Sequence, residues 1–269
     1  SFPTRRSSDL TGAFAETQTA RGGRSVGDGA AAALAETPCS RLTAAFAPET
    51  GRIVIRGHTP DAAAADAAVA RARAATGGAF PVIADVARLP EPQCGLLSTL
   101  DGLGLPQSND QTDDPLTVGE AAEARRLALE DGDPMILALE AADYDAHIYI
   151  DFFDSSGVVT HLKPRPGTIP ERQPAGRRWS YGGGAADGSG VTLTAGPPCG
   201  TDVVAVFAAT RPVFETPRPP RESADGYLAA FAERVRALKA ADPGFRGEWA
   251  YMVLETYPAG AAPQAGVRP

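Results

Sequence analysis

Three side chains that could take part in acid–base chemistry occur within the short segment HIYIDFFDSSGVVTHL, residues 147–162. They are Asp151, His161 and Tyr149. A carboxylate close to an imidazole favours the charged ring and raises its pKa, and side chains of these types transfer protons in many active sites. The segment therefore predicts a candidate polar pair, Asp151 with His161, provided that the chain brings the two side chains together.

A β-hairpin would bring these side chains together. Two β-rich runs flank Ser155–Gly157, and a three-residue loop that ends in a left-handed glycine is a common hairpin connection. This loop sets a register in which Asp151 lies directly opposite His161, with Tyr149 diagonal to both.

Two interpretations of the pair stay open. One is an acid–base or ligand-contacting site of a hydrolase or small-ligand-binding enzyme that uses Asp151, His161 and Tyr149. The other is an ordinary cross-strand polar pair, which stabilises a sheet by about 0.2–1 kcal/mol. The register that creates the pair also places Ile150 opposite Leu162 on a mostly apolar face. A Ser-His-Asp triad is not predicted, because the serines of this segment occupy the turn.

The other motifs of the chain predict no cofactor and no metal. The glycine-rich run at 182–190 lacks the Gly-Lys-Ser/Thr of a phosphate-binding loop and lies between β-rich runs. The acidic runs DQTDD and EDGDP lack the ligand spacing of a calcium loop. The chain has no CxxC motif or Cys/His cluster that would suggest zinc.

Composition and charge narrow the range of partners. The 269-residue chain has 33 acidic and 25 basic residues, which gives a net charge of −8 at pH 7. A nucleic-acid partner needs a basic surface, so we expect none and predict a protein or cell-envelope component instead. No run approaches the roughly 20 consecutive apolar residues of a spanning helix, and we therefore expect no membrane span in this chain.

Cys39 and Cys94 are the candidates for a disulfide. A bridge would close a loop of roughly 56 residues and contribute about 4 kcal/mol in the chain-entropy model. The alternative is two small buried thiols. Because disulfides persist in oxidising compartments, a bridge would favour a periplasmic or extracytoplasmic location.

The first half of the chain divides into three regions. Ser1–Leu10 matches the translation of a widely used sequencing adapter letter for letter, so we expect an artefact fused to a gene that is truncated at its N-terminus. Residues 11–37 are rich in Gly, Ala, Thr and Ser and predict a disordered linker. Residues 38–103 predict a small α/β domain, in which a strand at Arg52–Gly57 precedes a helix capped by Thr59 and a second strand.

This strand–helix–strand order opens with GRIVIRG and resembles the BON domain, first noted in bacterial osmotically induced and nodulation proteins. The resemblance covers about Gly51–Val86. Members of that family are usually non-catalytic binding or adaptor domains, so the resemblance implies a non-catalytic role for this region.

The second half of the chain predicts a β-rich domain. A polar linker at 104–124 precedes it, and a loose tail at 259–269 follows it. Short strands separated by Gly and Pro clusters at 125–258 predict an antiparallel, immunoglobulin-like β-sandwich. A helix capped by Ser223 follows a proline-rich segment, with Tyr227 among the apolar positions of one face. The predicted fold class is therefore α+β, with a small βαβ module, then the β-sandwich and its C-terminal helix.

Four short motifs within residues 133–231 carry a second resemblance. They are an aromatic-rich strand, an Asp/Gly turn, a strand ending in His-Leu-x-Pro, and Gly-Pro-Pro-x-Gly-Thr-Asp, at Tyr149–Phe153, Asp154–Gly157, His161–Pro164 and Gly196–Asp202. The region is similar to a bacterial C-terminal domain of unknown function, the 4384 family of such domains, which occurs with Ser/Thr kinase and caspase-like peptidase domains. The sequence departs from that pattern at Cys199, where the family has an aromatic residue.

These observations predict a non-catalytic accessory, sensory or protein-interaction region of a bacterial envelope or signalling protein. The absence of catalytic motifs and the resemblance to the 4384 family both favour this prediction. The hydrolase or ligand-binding enzyme described above is the first alternative. The second, implied by the resemblance, is the C-terminal extracytoplasmic region of a membrane-bound Ser/Thr protein kinase.

Overall fold

The fold is mixed α+β and consists mostly of sheets. A computed structural model describes the chain over six ranges, 29–30, 33–34, 37, 39–47, 50–107 and 125–261. The predictions for 1–10, for the first part of 11–37, for most of 104–124 and for 262–269 lie outside the described residues. The chain forms two compact units, unit 1 up to Leu89 and unit 2 from Pro90 onward.

Unit 1 contains a three-stranded sheet and one long helix. Its elements are β1 (Arg41–Ala47), β2 (Arg52–Thr59), α1 (Ala62–Ala75) and β3 (Val82–Arg88). The middle strand β2 is antiparallel to β1 and parallel to β3, and α1 provides the crossover that parallel strands require. Ile53 and Ile55 of β2 form the core of this unit together with Ala68 and Ala72 of α1.

Two details of unit 1 differ from the prediction. Asp61, not Thr59, caps α1, because its carboxylate accepts a hydrogen bond at 2.8 Å from the backbone N–H three residues later. Ala30 and Leu34 are helical and buried in the core of unit 1. Their four-residue spacing places both on one helical face, so the disordered linker predicted for 11–37 does not extend to them.

The boundary between the units falls earlier than predicted. Helix α2 (Gln93–Asp101) belongs to unit 2, whereas the sequence placed residues 38–103 in one domain. The reason is that α2 contacts the C-terminal helix of unit 2. The start of the predicted linker 104–124 also belongs there, since the indole N–H of Trp249 donates a hydrogen bond to the Leu105 carbonyl at 3.2 Å.

Unit 2 is built on a seven-stranded sheet. After α2, its elements are β4 (Arg125–Glu130), β5 (Leu137–Glu140), β6 (Ala146–Phe153), β7 (Val158–Lys163), β8 (Arg172–Gln173), β9 (Arg178–Tyr181), β10 (Thr201–Ala209), β11 (Arg221–Ser223), α3 (Ala224–Ala241) and β12 (Gly247–Tyr257). The strand order is β11-β7-β6-β10-β12-β4, and β8 also pairs with β6. The pairs are antiparallel except β12–β4, which is parallel. The prediction of a wholly antiparallel sheet is therefore wrong at this edge, where no hairpin connects the two strands and dictates their direction.

The two faces of this main sheet are covered by different layers. On one face, the ring centroid of Phe231 in α3 lies 6.4 Å from that of Tyr149 in β6. The opposite face shares a hydrophobic core with the two-stranded sheet β5–β9, in which Ile148 packs with Leu137 and Tyr181. Packed sheets of this kind are compatible with the predicted β-sandwich, and α3 adds a layer on the face that carries the predicted polar pair.

Two further predictions concern covalent structure and membranes. Cys39 and Cys94 are both disulfide-bonded, and Cys199 is a free thiol. The structure therefore contains the disulfide, and not the alternative of two buried thiols. Among the described residues, no helix combines the length and the apolar character needed to cross a membrane.

Candidate functional site

The β6–β7 hairpin has the predicted register at the polar pair. Asp151 lies opposite His161. Gly157 has a φ of 86°, the left-handed conformation that the three-residue loop requires. The local turn chemistry therefore brings the predicted carboxylate and imidazole together.

The pairing beyond the polar pair differs from the prediction. Ile150 lies opposite Lys163 instead of Leu162, because a β-bulge adds one residue to β7. A shift of one residue sends a side chain to the other face of the sheet. Lys163 accordingly lies over the ring of Trp179 in β9, with its Nζ 5.7 Å from the ring centroid, and not on the face covered by α3.

His161 is bonded to a carboxylate at each ring nitrogen. Its Nδ1 lies 2.6 Å from Oδ1 of Asp151, and its Nε2 lies 3.0 Å from Oε1 of Glu222. The Nε of Arg218 donates to the same oxygen of Glu222 at 2.8 Å. The hydroxyl of Tyr227 donates to Oδ2 of Asp151 at 2.6 Å. These five residues are called the histidine network below.

Strand pairing and one helix bring the histidine network together. The hairpin supplies Asp151 and His161, and the pairing of β11 with β7 brings Glu222 beside them. Helix α3 begins directly after β11 and presents Tyr227 to the sheet. The side chains of Asp151 and His161 are each 7% exposed and Tyr227 is buried as well, whereas Glu222 and Arg218 are 17% and 31% exposed. The inner part of the network is therefore covered.

The network favours a protonated His161. Burial alone would lower the pKa of this imidazole, but the hydrogen bond and charge of Asp151, followed by those of Glu222, outweigh burial and raise the pKa. Burial would also raise the pKa of Glu222, but hydrogen bonds from Arg218 and then His161 lower it. The raised pKa of His161 thus favours a charged ring between Asp151 and Glu222, and Arg218 is the second cation that is bonded to Glu222.

Tyr149 lies outside the network although it shares the same face. Its hydroxyl accepts hydrogen bonds from the backbone N–H groups of Val213 at 2.8 Å and Phe214 at 3.4 Å. Burial raises the pKa of Tyr149 to about 12. The structure thus brings Asp151 and His161 together as predicted. The tyrosine that is bonded to the pair is Tyr227, however, and not Tyr149.

The space beside the network is too small for a substrate. His161, Tyr149 and Tyr227 border a cavity of about 20 Å³, which is close to what a single water molecule needs. With both nitrogens of His161 bonded to carboxylates, neither is available to remove a proton from a nucleophile. The arrangement instead joins α3 and β11 to the hairpin through buried charges.

Two of the four motif segments, Asp154–Gly157 and Gly196–Asp202, meet at the tip of this hairpin. The Asp202 carboxylate accepts a hydrogen bond from the Ser155 N–H at 2.9 Å. Asp154 accepts hydrogen bonds from the N–H groups of Ser156 and Val158 at 2.9 and 3.0 Å. Burial raises the pKa of Asp202 to about 6, and the charge of Asp154 adds to this effect. Both carboxylates bind backbone N–H groups of the turn and therefore fix its shape.

A second polar region, which the sequence did not predict, lies on the other side of β7. A cavity of about 510 Å³ opens between β7, β9 and the loops that follow them. Its lining includes three cations, Lys163, Arg165 and Arg177, and two aromatic side chains, Trp179 and Tyr181. This cavity with these five residues is called the cationic groove below.

The cations of the groove have no carboxylate partner among the described residues. Arg165 donates to the backbone carbonyl of Ser189, Arg177 donates to Oε1 of Gln173 at 3.0 Å, and Lys163 lies over an aromatic ring. Most other described arginines of unit 2 do form ion pairs with carboxylates, namely Arg172, Arg178, Arg211, Arg218, Arg221, Arg234 and Arg246. The groove therefore differs from the rest of unit 2 in having cations that form no ion pair among the described residues.

The ammonium group of Lys163 is partly desolvated. Burial lowers its pKa; the charge of Glu171 opposes this effect, and the charges of Arg177 and Arg165 add to it. Two carboxylates also line the groove, those of Glu171 and Asp187. Asp187, however, accepts hydrogen bonds at 2.6 and 2.9 Å from two backbone N–H groups of its own loop. The groove thus carries an excess of positive charge in a chain whose net charge is −8.

The sequence contained signals for residues that the prediction missed. Residues 163–179 include five basic side chains and one acidic side chain, which reverses the charge balance of the whole chain. Arg218 and Glu222 are a base and an acid four residues apart in the segment before α3. Tyr227 was counted only as an apolar position of the helix, although its hydroxyl needs a partner when it is buried.

Comparison with known proteins gave no match in any of three searches, against protein-family models, curated proteins and solved structures. The function proposed for the chain therefore rests on the geometry of the histidine network and the cationic groove.

Proposed function

We propose that the chain is a non-catalytic accessory region of a bacterial envelope or signalling protein, in which unit 2 binds a ligand through the cationic groove. The observation that carries this proposal is that two basic residues of β7, His161 and Lys163, lie in different surroundings. His161 is fully bonded within buried contacts, whereas Lys163 faces an open cavity beside two further cations. Ligand sites are typically cavities of roughly 300–1,000 Å³ with a few convergent polar groups, and the groove, at about 510 Å³, has this form.

The geometry favours binding over hydrolysis at Asp151, His161 and Tyr149. A general base needs a free lone pair within hydrogen-bond reach of the proton that it removes. His161, bonded at both ring nitrogens to Asp151 and Glu222, offers none. The neighbouring cavity of about 20 Å³ also leaves no room for a scissile bond to approach.

An oxidising compartment, periplasmic or extracytoplasmic, suits the chain best. The disulfide of Cys39 and Cys94 supports this placement, because cytosolic reductants keep most thiols reduced. The same compartment suits the extracytoplasmic region of a membrane-bound Ser/Thr kinase, which the sequence of the complete gene would test. Titration of thiols in the denatured protein, isolated without reductant from its native host, should find one thiol, that of Cys199. All three cysteines reacting would contradict the placement.

The finer fold assignments belong to the same proposal. The parallel pairing of β2 with β3 across α1 supports a BON-like module in unit 1. The core shared by the main sheet and the β5–β9 sheet supports an immunoglobulin-like sandwich of the 4384 type in unit 2. Because a fold does not determine a function, the charge arrangement on β7 carries more weight here than either resemblance.

Substrate turnover tests the non-catalytic proposal. The purified chain is incubated with chromogenic ester, phosphate, glycoside and peptide substrates, in parallel with Asp151→Asn and His161→Gln variants whose folding is checked by circular dichroism. We expect no turnover that depends on either side chain. Asp145→Asn is the matched control, since Asp145 is an exposed carboxylate paired with Arg172. Hydrolysis that is lost in both folded network variants and kept in the control would overturn the proposal and support the hydrolase alternative.

A further inference from the structure

We infer that the cationic groove binds an acidic sugar, that is, a pyranose ring that carries a carboxylate. This inference rests on the proposed function, because it names the ligand class of the site proposed there. Three observations support it: the unbalanced charge of the groove, the chemistry of its walls and the way in which the backbone creates it.

The unbalanced charge of the groove selects an anion. Lys163, Arg165 and Arg177 line one cavity, and the nearby arginines together with burial already lower the pKa of Lys163. The carboxylates of Glu171 and Asp187 line the same cavity, and Asp187 is bonded to backbone N–H groups of its own loop. Three cations against two carboxylates leave one net positive charge, which a bound anion would balance. The two guanidinium groups are planar and can hold a carboxylate through paired hydrogen bonds.

The walls of the groove favour a sugar ring over a bare ion. Trp179 is partly exposed and contributes aromatic surface, whereas Tyr181 is only 5% exposed. Thr168, Ser180 and Ser189 contribute hydroxyl groups to the same cavity. A pyranose ring has the complementary form, with C–H groups on its faces and hydroxyl groups around its rim. An inorganic phosphate ion would leave most of a cavity of about 510 Å³ empty and would not need the aromatic surface.

The backbone creates the groove through the bulge in β7. Without it, the alternation of the strand would place Lys163 on the same face as His161, beneath α3. The bulge turns Lys163 toward Trp179 instead. Bulges commonly redirect side chains beside functional sites, and here one redirects Lys163, whose Nζ lies over the ring of Trp179.

The fluorescence of Trp179 provides a direct readout of binding. The chain has two tryptophans, and the other, Trp249, is 1% exposed, so a ligand in the groove should change the emission of Trp179. Digalacturonate is titrated into the full-length chain at low salt, with lactose, inorganic phosphate and a triglutamate peptide as parallel titrants. We expect saturable binding of digalacturonate that weakens as salt rises, and binding at least about tenfold weaker for each of the other three.

Single substitutions locate the binding site. Lys163→Gln and Arg177→Gln each remove one charge-assisted hydrogen bond to the ligand, so each should weaken digalacturonate binding about tenfold. Trp179→Phe should remove the fluorescence change, and calorimetry then measures the remaining affinity. Arg178→Gln is the matched control, because Arg178 is an exposed neighbour that pairs with Glu140 at 2.9 Å outside the groove. Its affinity for digalacturonate should equal that of the unaltered chain.

The possible outcomes separate the inference from the function on which it rests. Equal affinity for lactose would show that the carboxylate is not recognised, and equal affinity for phosphate or the peptide would show that the ring is not. Either result, or no binding of digalacturonate at all, overturns the acidic-sugar inference and leaves the non-catalytic proposal standing. Cleavage of digalacturonate that Asp151→Asn abolishes would overturn the proposed function instead.

Discussion

His161 and Lys163 lie two residues apart on β7, yet the fold places their positive charges in opposite surroundings. His161 is 7% exposed and bonded to the carboxylates of Asp151 and Glu222. Lys163 faces an open groove and has no carboxylate partner among the described residues. The bulge between them separates the two side chains onto opposite faces of the sheet.

The comparison distinguishes charges that hold a fold together from charges that are available to a ligand. In the histidine network, His161 and Arg218 are bonded to carboxylates, which limits the cost of burying its inner part. In the cationic groove, three cations outnumber the two carboxylates of the lining, and the excess positive charge is available to an anion. Damage to the network should therefore destabilise unit 2, whereas damage to the groove should weaken binding and leave stability almost unchanged.

The largest expected effect comes from the removal of Asp151. In Asp151→Ala, His161 keeps only one of its two carboxylates, and the hydroxyl of Tyr227 loses its acceptor. We expect the free energy of unfolding to fall by about 3–5 kcal/mol, as when one partner of a buried ion pair is removed. Urea denaturation followed by circular dichroism measures this change.

An exposed carboxylate provides the control for this variant. Asp143→Ala breaks an ion pair with Arg246 in which both side chains are more than half exposed, so the loss should stay below about 1 kcal/mol. Equal losses in the two variants would show that burial gives the network no special role in stability.

The register of the hairpin was predictable because its determinants are local. The turn Ser155–Gly157 and the alternation of two short runs set the pairing, and the contact of Asp151 with His161 follows from it. The burial of this pair was not predictable in the same way, since Glu222 and Tyr227 come from a distant segment. Only tertiary packing of α3 on the sheet brings them to the hairpin.

The groove escaped prediction for a different reason. Strand alternation places Lys163 beside His161, and a single bulge reverses that assignment. Arg177 and Trp179 belong to the region of the β5–β9 sheet, whose position on the main sheet is a matter of packing between layers. The one local sign was the excess of basic residues at 163–179.

A smaller loss is expected when the hydroxyl of Tyr227 is removed. Tyr227→Phe takes away a hydrogen bond of 2.6 Å to the buried carboxylate of Asp151, and we expect a cost of about 1.5–3 kcal/mol, typical of hydrogen bonds to charged groups. Tyr149→Phe is the matched control, because its hydroxyl is bonded to uncharged backbone N–H groups and should contribute about 0.5–1.5 kcal/mol. Urea denaturation compares the two. The interpretation of the network as a charged unit fails if Tyr149→Phe proves the more damaging change.

The pH dependence of stability provides a graded test of the network. Asp151 and Glu222 raise the pKa of His161 in the folded chain, while the unfolded value is about 6.5. The stabilisation from the protonated ring is therefore fully present below about pH 6.5 and is lost as pH rises through the raised folded value. We expect the stability advantage of the unaltered chain over His161→Gln to shrink above pH 6.5, by at most about 1.4 kcal/mol per pH unit.

The comparison with His161→Gln is needed because other carboxyl groups titrate as well. Burial raises the pKa of Asp202 to about 6, so its neutral form also favours the folded state, and this contribution is lost between about pH 4 and pH 6. The lowered pKa of Glu222 acts in the opposite direction, since its contribution is lost as the solution becomes acidic. Because His161 itself helps to lower the pKa of Glu222, subtracting the two unfolding free energies at each pH isolates the histidine only above about pH 6.5, where both carboxyl groups are already ionised. An advantage that grows above pH 6.5 would contradict a protonated network.

The smallest expected effect on stability comes from the groove. Arg177→Gln removes a cation that lies near two others and has no ion pair among the described residues, so the free energy of unfolding should rise by no more than about 0.5 kcal/mol. Arg178→Gln breaks an exposed ion pair with Glu140 and should lower it by a similar amount. Urea denaturation at low salt, where charge effects are largest, shows whether the free energy of unfolding rises or falls in each variant. A clear loss of stability in Arg177→Gln would mean that its hydrogen bond to Gln173 outweighs the repulsion, and the groove would then resemble the network, with charges that serve the fold.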